Sequence, residues 1–254
     1  MCGRYASFRE AQALADAFDV EEISERAAQL PANYNVAPTD GARIVVERAP
    51  KAQAEPADTA ASPPPPSPTR RELHVARWGL VPGWAKDLSV GSRMFNARSD
   101  SVADKPAFAK SLRARRCVVV AEGYYEWLKE DVPGQSKPRR TPFFIHRSDE
   151  EPIAFAGLYA WWPDPSKDRE DPERWVLSTT IVTEDARDGL EQIHDREPVV
   201  LAPEAIEPWL DPAITAPEEA LAALSVPTPP LRWYEVSSRV GSVKNNDPGL
   251  IEPA

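Results

Sequence analysis

The chain has 254 residues, 30 Lys+Arg against 40 Asp+Glu, and a formal net charge of −10. That length suits one large domain or two small ones with a real core, and the acidic balance argues against a nonspecific nucleic-acid binder. Only Cys2 and Cys117 are present, too few for a disulfide framework or a Cys-rich zinc site. No run reaches the roughly 18 apolar residues of a membrane span, and no apolar secretory segment follows Met1, so a reducing cytoplasm is the expected compartment.

Cys2 stands directly behind the initiator. Removal of Met1 would leave an amine and a thiol on neighbouring carbons of one residue. That amine can attack an aldehyde to give an imine, and the thiol can then close a thiazolidine ring. An α-amine of pKa about 7.7–8.0 is partly neutral at physiological pH. Taken alone, the position of Cys2 is better read as an accident of the start.

Ser7 and Glu10 form an S-x-x-E capping box, predicting a helix to about Phe18 with Ala11, Leu14, Ala15 and Phe18 on one face. NYNVAPTD (33–40) reads as a loop after a short extended run, and ARIVVERA (42–49) as a strand. Residues 49–71, with four consecutive prolines, cannot build a core. They read as a disordered surface insertion between two strands of one domain, because ELHVARW resumes as a strand at once. WGLVPGWAKD (78–87) pairs two tryptophans with Pro-Gly, either a stacking platform for bases or a core Trp beside a tight turn. In MFNARSD (94–100) an extended backbone would aim Asn96 and Arg98 at one face, and a turn is the competing reading.

Basic residues cluster in KSLRARR (110–116) and KPRR (137–140), acidic ones in DPSKDREDPE (164–173) and 203–219. RCVVVAEG (116–123) is a buried-strand run that YYEWLK (124–129) continues. There Glu122, Tyr124 and Glu126 share one face, and Tyr125 and Trp127 the other. Glu126 is either a desolvated carboxylate suited to proton transfer or an edge-strand glutamate facing water. PFFIHR, IAFAGLYAWW, WVLSTTIVT and finally LRWYEVS are further strands, with short helices near 106–114, 185–192, 203–210 and 217–224. His74 and His146 alternate with hydrophobic residues and read as structural. His194, between acidic neighbours at an element boundary, is better placed to titrate. No metal-ligand spacing, phosphate loop or G-x-S-x-G is present. The pattern predicts an α+β fold around a mainly antiparallel, barrel-like sheet with peripheral helices.

MCGRY, YNVAPT, WGLVPGWAKD, NARSD, RCVVVAEGYYEW, FAGLY, TTIVTEDA…GLEQIHDREPVVL and VSSRVGSVKNND, in this order, resemble the SOS-response-associated peptidase (SRAP) family. The resemblance spans nearly the whole chain and implies a single domain over 2–254 that binds single-stranded DNA and crosslinks covalently to abasic sites. It implies no cofactor, no metal and no membrane. The protein would be cytoplasmic, and nucleoid-associated when on DNA. Cys2 matches the nucleophile, Asn96 the asparagine beside it, Glu126 the catalytic glutamate and His194 the catalytic histidine. Arg98 matches a phosphate-binding arginine, Arg196 a DNA-contacting arginine, and Thr183 the threonine preceding the histidine. Arg4, Asn35, Pro38 and Trp84 fall on positions expected to line the DNA groove, and Trp127 is a further stacking candidate. Where the family often has NAR-x-E-T this chain has NARSDS. Glu122-Gly123 replaces Asp-Gly, and Glu197-Pro198 replaces Met-Pro. The competing activities are an N-terminal-nucleophile thiol peptidase that removes its own Met1, and a noncovalent single-strand binder.

Overall fold

β-Branched and aromatic runs set the architecture. A computed structural model describes residues 2–48, 69–134 and 136–254. In chain order the strands are β1 (Tyr5–Ser7), β2 (Glu22–Ile23), β3 (Asn33–Val36), β4 (Gly41–Arg48), β5 (Arg70–Trp78), β6 (Asn96–Arg98) and β7 (Arg116–Ala121). They continue with β8 (Gly123–Glu130), β9 (Arg139–Arg147), β10 (Ile153–Pro163), β11 (Trp175–Asp185), β12 (Arg196–Pro198) and β13 (Leu231–Glu235). The helices are α1 (Ala11–Ala17), α2 (Glu25–Gln29), α3 (Ala109–Ala114), α4 (Pro203–Leu210) and α5 (Pro217–Ala222).

One sheet has the order β13-β9-β8-β1-β3, the other β12-β11-β10-β7-β4-β5-β2 with β6 added on β11. A parallel contact between β11 and β5 closes β4, β5, β7, β10 and β11 into a five-stranded barrel. Ile44, Trp78, Val119, Phe155 and Ile181 pack on one face of the barrel strands, together with Cys2, Tyr5 and Tyr124 of the other sheet. Val45, Leu73, Val118 and Val182 lie on the opposite face, against Leu14 of α1, Leu112 of α3, Trp209 of α4 and Ala220 of α5. This is the α+β, barrel-like fold expected from the strand runs, with helices at the periphery.

Local expectations changed where tertiary pairing outweighs local pattern. Ser7 does not cap α1: it lies in β1 opposite Asn33, and the N-cap is Glu10, with no side-chain cap. The helix still buries Ala11, Leu14 and Ala15. Residues 116–129 are two strands in different sheets, because the chain breaks at Glu122. There the Glu122 amide donates to Ala6 O (2.9 Å), and its carboxylate accepts from the Phe8 amide (2.7 Å). Gly123 permits the crossing: a Cβ there would fall 2.3 Å from the Phe144 ring. No helix fills 185–192; β11 runs to Asp185, and one 3-10 turn, Leu190–Gln192, follows Gly189 at φ +98. The short extended run expected at the start of 33–40 is β3, and Pro38 follows it in a turn, as expected. β4 and β5 pair directly, Arg48 opposite Arg70. The expected insertion thus joins neighbouring antiparallel strands; residues 49–68 of it lie outside the described residues, and Arg70 and Arg71 belong to β5.

Candidate active site

Short strand β1 carries Cys2 into the core. Tyr5 pairs with Tyr124 and Val36, and the Tyr125 amide donates to Arg4 O at 2.9 Å. Cys2 is fully buried. The Asn96 side chain reaches it from β6, with Nδ2 donating to the Cys2 carbonyl at 2.7 Å. β6 is held by parallel pairing with β11, Ile181 opposite Asn96 and Thr183 opposite Arg98. The extended reading of NAR, not the turn, is what forms.

Glu126 is 5% exposed on β8, so the desolvated alternative holds. Burial pushes its carboxyl above the usual range. Burial also pushes the Cys2 thiol far up, and the nearby Glu126 charge adds to the shift. His194 follows the 3-10 turn, its amide donating to Leu190 O at 3.0 Å. Nδ1 lies 3.1 Å from the Arg196 amide and 2.8 Å from Asp195 Oδ1. An unprotonated Nδ1 accepts from the Arg196 amide, whereas a protonated Nδ1 donates to Asp195, so the two contacts favour opposite protonation states of that nitrogen. Burial lowers the imidazole pKa, and Asp195 opposes the shift. Lys129 acts electrostatically on both Glu126 and His194.

Two residues emerge that the sequence did not single out as functional. Tyr5 and Tyr124 are both buried, with hydroxyls lacking a hydrogen-bond partner among the described residues, and both feel the Cys2 charge. Asn96 Oδ1 is likewise buried and unpartnered. Among the described residues, the buried surroundings of Cys2 therefore hold unsatisfied polar atoms, a setting suited to a polar reactant. The one available pointer to Tyr124 was its shared face with Glu122 and Glu126.

The remaining candidates divide. Trp84 is 60% exposed, on a turn fixed by Trp162 Nε1 donating to Ala85 O at 2.9 Å. Arg98 is exposed, and Asp100 grips it, with Nε 3.1 Å from each carboxylate oxygen. Trp127 is half-buried, with Arg4 5.9 Å over its ring. Pro38 sits half-buried in the turn between β3 and β4. Asn35 is buried, and its amide is fully engaged: Oδ1 accepts from Arg4 at 2.7 Å, and Nδ2 donates to Ser242 O and Asn245 O at 2.9 and 2.8 Å. Thr183 and Arg196 are buried together, Nη2 to Oγ1 3.2 Å, with Arg196 Nε on Glu184 O at 3.1 Å. Asn35, Thr183 and Arg196 thus organise the backbone around the site.

Glu197, beside Arg196, is 7% exposed, and burial raises its pKa to about 7, against the pull of Arg187. A raised carboxyl favours the protonated fold, so its contribution is complete below the unfolded value of about 4.3 and is lost as pH rises through about 7. Glu197→Gln is expected to gain about 2 kcal/mol at pH 8 and nothing at pH 4. Thermal melts at both pH values test this; an equal Tm gain at both would contradict it.

Residues 1–243 match the family described as SOS response associated peptidase (SRAP). The chain is 32% identical over 253 residues to "Abasic site processing protein YoqW" of Bacillus subtilis (strain 168), covering 99% of each. It is 31% identical over 259 residues to "Abasic site processing protein YedK" of Escherichia coli (strain K12), covering all of both. Its fold matches a crystal structure of a Bacteroides thetaiotaomicron protein with a TM-score of 0.75, at 22% identity over the full length of both.

Proposed function

The chain belongs to the SRAP family, and we propose that it processes abasic sites by capturing them covalently on Cys2. The observation that carries this reading is the Asn96 contact to the Cys2 carbonyl, beside the buried Glu126. Removal of Met1 frees the Cys2 α-amine. The amine attacks the aldehyde of the ring-opened abasic sugar, and water leaves as the imine forms. The thiol then adds across the C=N bond, sulfur to carbon and proton to nitrogen, closing a thiazolidine. Glu126 and His194 move the protons of these steps. Asn96 orients Cys2 through its carbonyl, and its free Oδ1 can accept from the new amine.

Burial of Cys2 requires the sugar to be brought inward, which a flexible single strand allows. Trp84 offers an exposed stacking surface for a flanking base, and Arg98 a guanidinium for a phosphate. The thiol peptidase is the weaker reading, because burial and Glu126 disfavour the thiolate such an enzyme needs.

A denaturing gel tests the proposal, with Met-trimmed protein and a single-stranded oligonucleotide carrying one abasic site beside an intact control. A heat-stable shifted band with the abasic strand alone is expected. No band from protein whose Cys2 N-terminus is verified by mass spectrometry would reject it. Asp100 competes with phosphate for Arg98, so Asp100→Asn is expected to tighten binding of an intact single strand about threefold, with a steeper salt dependence. Fluorescence anisotropy across a salt series measures this; weaker binding would refute the competition.

A further inference from the structure

The barrel closes through two residue pairs, Ser178↔Arg77 and Thr179↔Trp78. N-terminal to that seam β5 and β11 are no longer paired, and a cleft of about 1030 Å³ is lined by His74, Val75, Arg77, Trp161, Trp175 and Leu177. Within β5, Arg71 O and Leu73 O accept from Glu21 and Ser24 on the β2 side, and Gly79 N donates to Thr179 O on the β11 side. Strand alternation turns the Val75 N–H and C=O toward the same edge. No described strand lies opposite Val75 there. An unpaired strand edge is a template for an added strand.

Arg77 stands where the cleft closes. Its Nη1 is buried without a partner, and no ion pair reaches it among the described residues. Burial alone lowers its pKa. A guanidinium so placed is completed by a carboxylate. Lys167 Nζ is 2.8 Å from Glu173, and His74 Nε2 2.8 Å from Glu72, while the exposed Arg26 adds a second guanidinium to the cleft lining. Trp175, 54% exposed, and Trp161 supply an aromatic wall. The acidic run 164–173 lies along the same cleft through Lys167 and Glu173, and it repels a polyanion but tolerates one carboxylate.

We propose that this cleft captures the C-terminal residues of a partner protein. The segment adds parallel to β5, pairing with the Val75 peptide groups. It ends at the seam, where paired strands block further passage and Arg77 takes the terminal carboxylate. Apolar side chains of the segment lie on Trp161 and Trp175. This is strand addition combined with carboxylate capture, and it does not depend on the chemistry at Cys2.

The test uses the full-length protein and N-terminally dansylated random tetrapeptides, one pool with free C-termini and one amidated. Retention in equilibrium dialysis and energy transfer from tryptophan are read for both. Selective retention of free acids, enriched in apolar residues, is expected. Arg77→Gln should reduce it at least tenfold, and Trp175→Ala should reduce the energy transfer. Equal retention of acids and amides by the wild type, or of neither, would overturn the proposal, as would displacement of the retained acids by dAMP or an intact eight-nucleotide single strand. Because the pools are compared on the wild type, a poorly folded variant does not decide the result. Abasic-site crosslinking in Arg77→Gln is expected to stay at the wild-type level, so the two readings fail separately.

Discussion

Cys2→Ala is expected to lose the heat-stable band on abasic DNA by more than a hundredfold while still forming an adduct that borohydride traps. Alanine is small, so Met1 is still trimmed and the α-amine still reaches the aldehyde. The imine forms, but no thiol is present to add to it. An imine hydrolyses on heating unless reduced; a thiazolidine carries an added carbon–sulfur bond and survives. The variant should also fold, since Cys2 contributes one small apolar side chain to a cluster that includes Tyr5, Trp78, Tyr124 and Phe155. Loss of that sulfur costs about 1 kcal/mol. Both readouts come from one gel run with and without reductant. Wild-type amounts of heat-stable adduct from Cys2→Ala would reject ring closure, and no trapped adduct at all would reject the amine as the attacking group.

The barrel was legible in the sequence because its strands are buried on both faces. RCVVVA, IAFAGLYAWW and WVLSTTIVT therefore read as continuous apolar runs whatever their neighbours. Elements held by long-range pairing were not. β1 has three residues and exists because Tyr5 finds Tyr124 and Val36. Ser7-x-x-Glu10 matches a helix cap locally and loses to that pairing. Glu122 ends one strand by bonding the Phe8 amide, 114 residues away, and no local pattern encodes such a contact. The site divides in the same way. Cys2 carried its own chemical argument. Asn96 gained its position from long-range contacts, the pairing with Ile181 and a hydrogen bond to Cys2 spanning 94 residues. Asn35, Thr183 and Arg196 were expected near a DNA groove by resemblance alone, and nothing local in the sequence indicates that their polar atoms are engaged with neighbouring protein groups.

Replacing either proton carrier is expected to slow crosslinking about a hundredfold, and the two losses should differ in their pH dependence. Burial raises the Glu126 carboxyl and lowers the His194 imidazole, so their titrations move toward one another. A protonated Glu126 therefore persists to higher pH than a solvated glutamic acid, and a neutral His194 to lower pH than a solvated imidazole. The wild-type rate should rise with pH as the Cys2 amine loses its proton, then fall where the acid is exhausted. Glu126→Gln keeps the size of the side chain but carries no titrating proton, so the falling limb should vanish. His194→Ala should keep that limb and lose rate throughout. Glu126 also raises the Cys2 thiol pKa through its charge. Removing that charge should move Cys2 titration to lower pH, seen as faster thiol alkylation at fixed pH in Glu126→Gln. Crosslinking rates from pH 5 to 9, with thiol alkylation on the same samples, separate the two roles. Wild-type rates in both variants, or a thiol unmoved in Glu126→Gln, would remove Glu126 from its place beside the nucleophile.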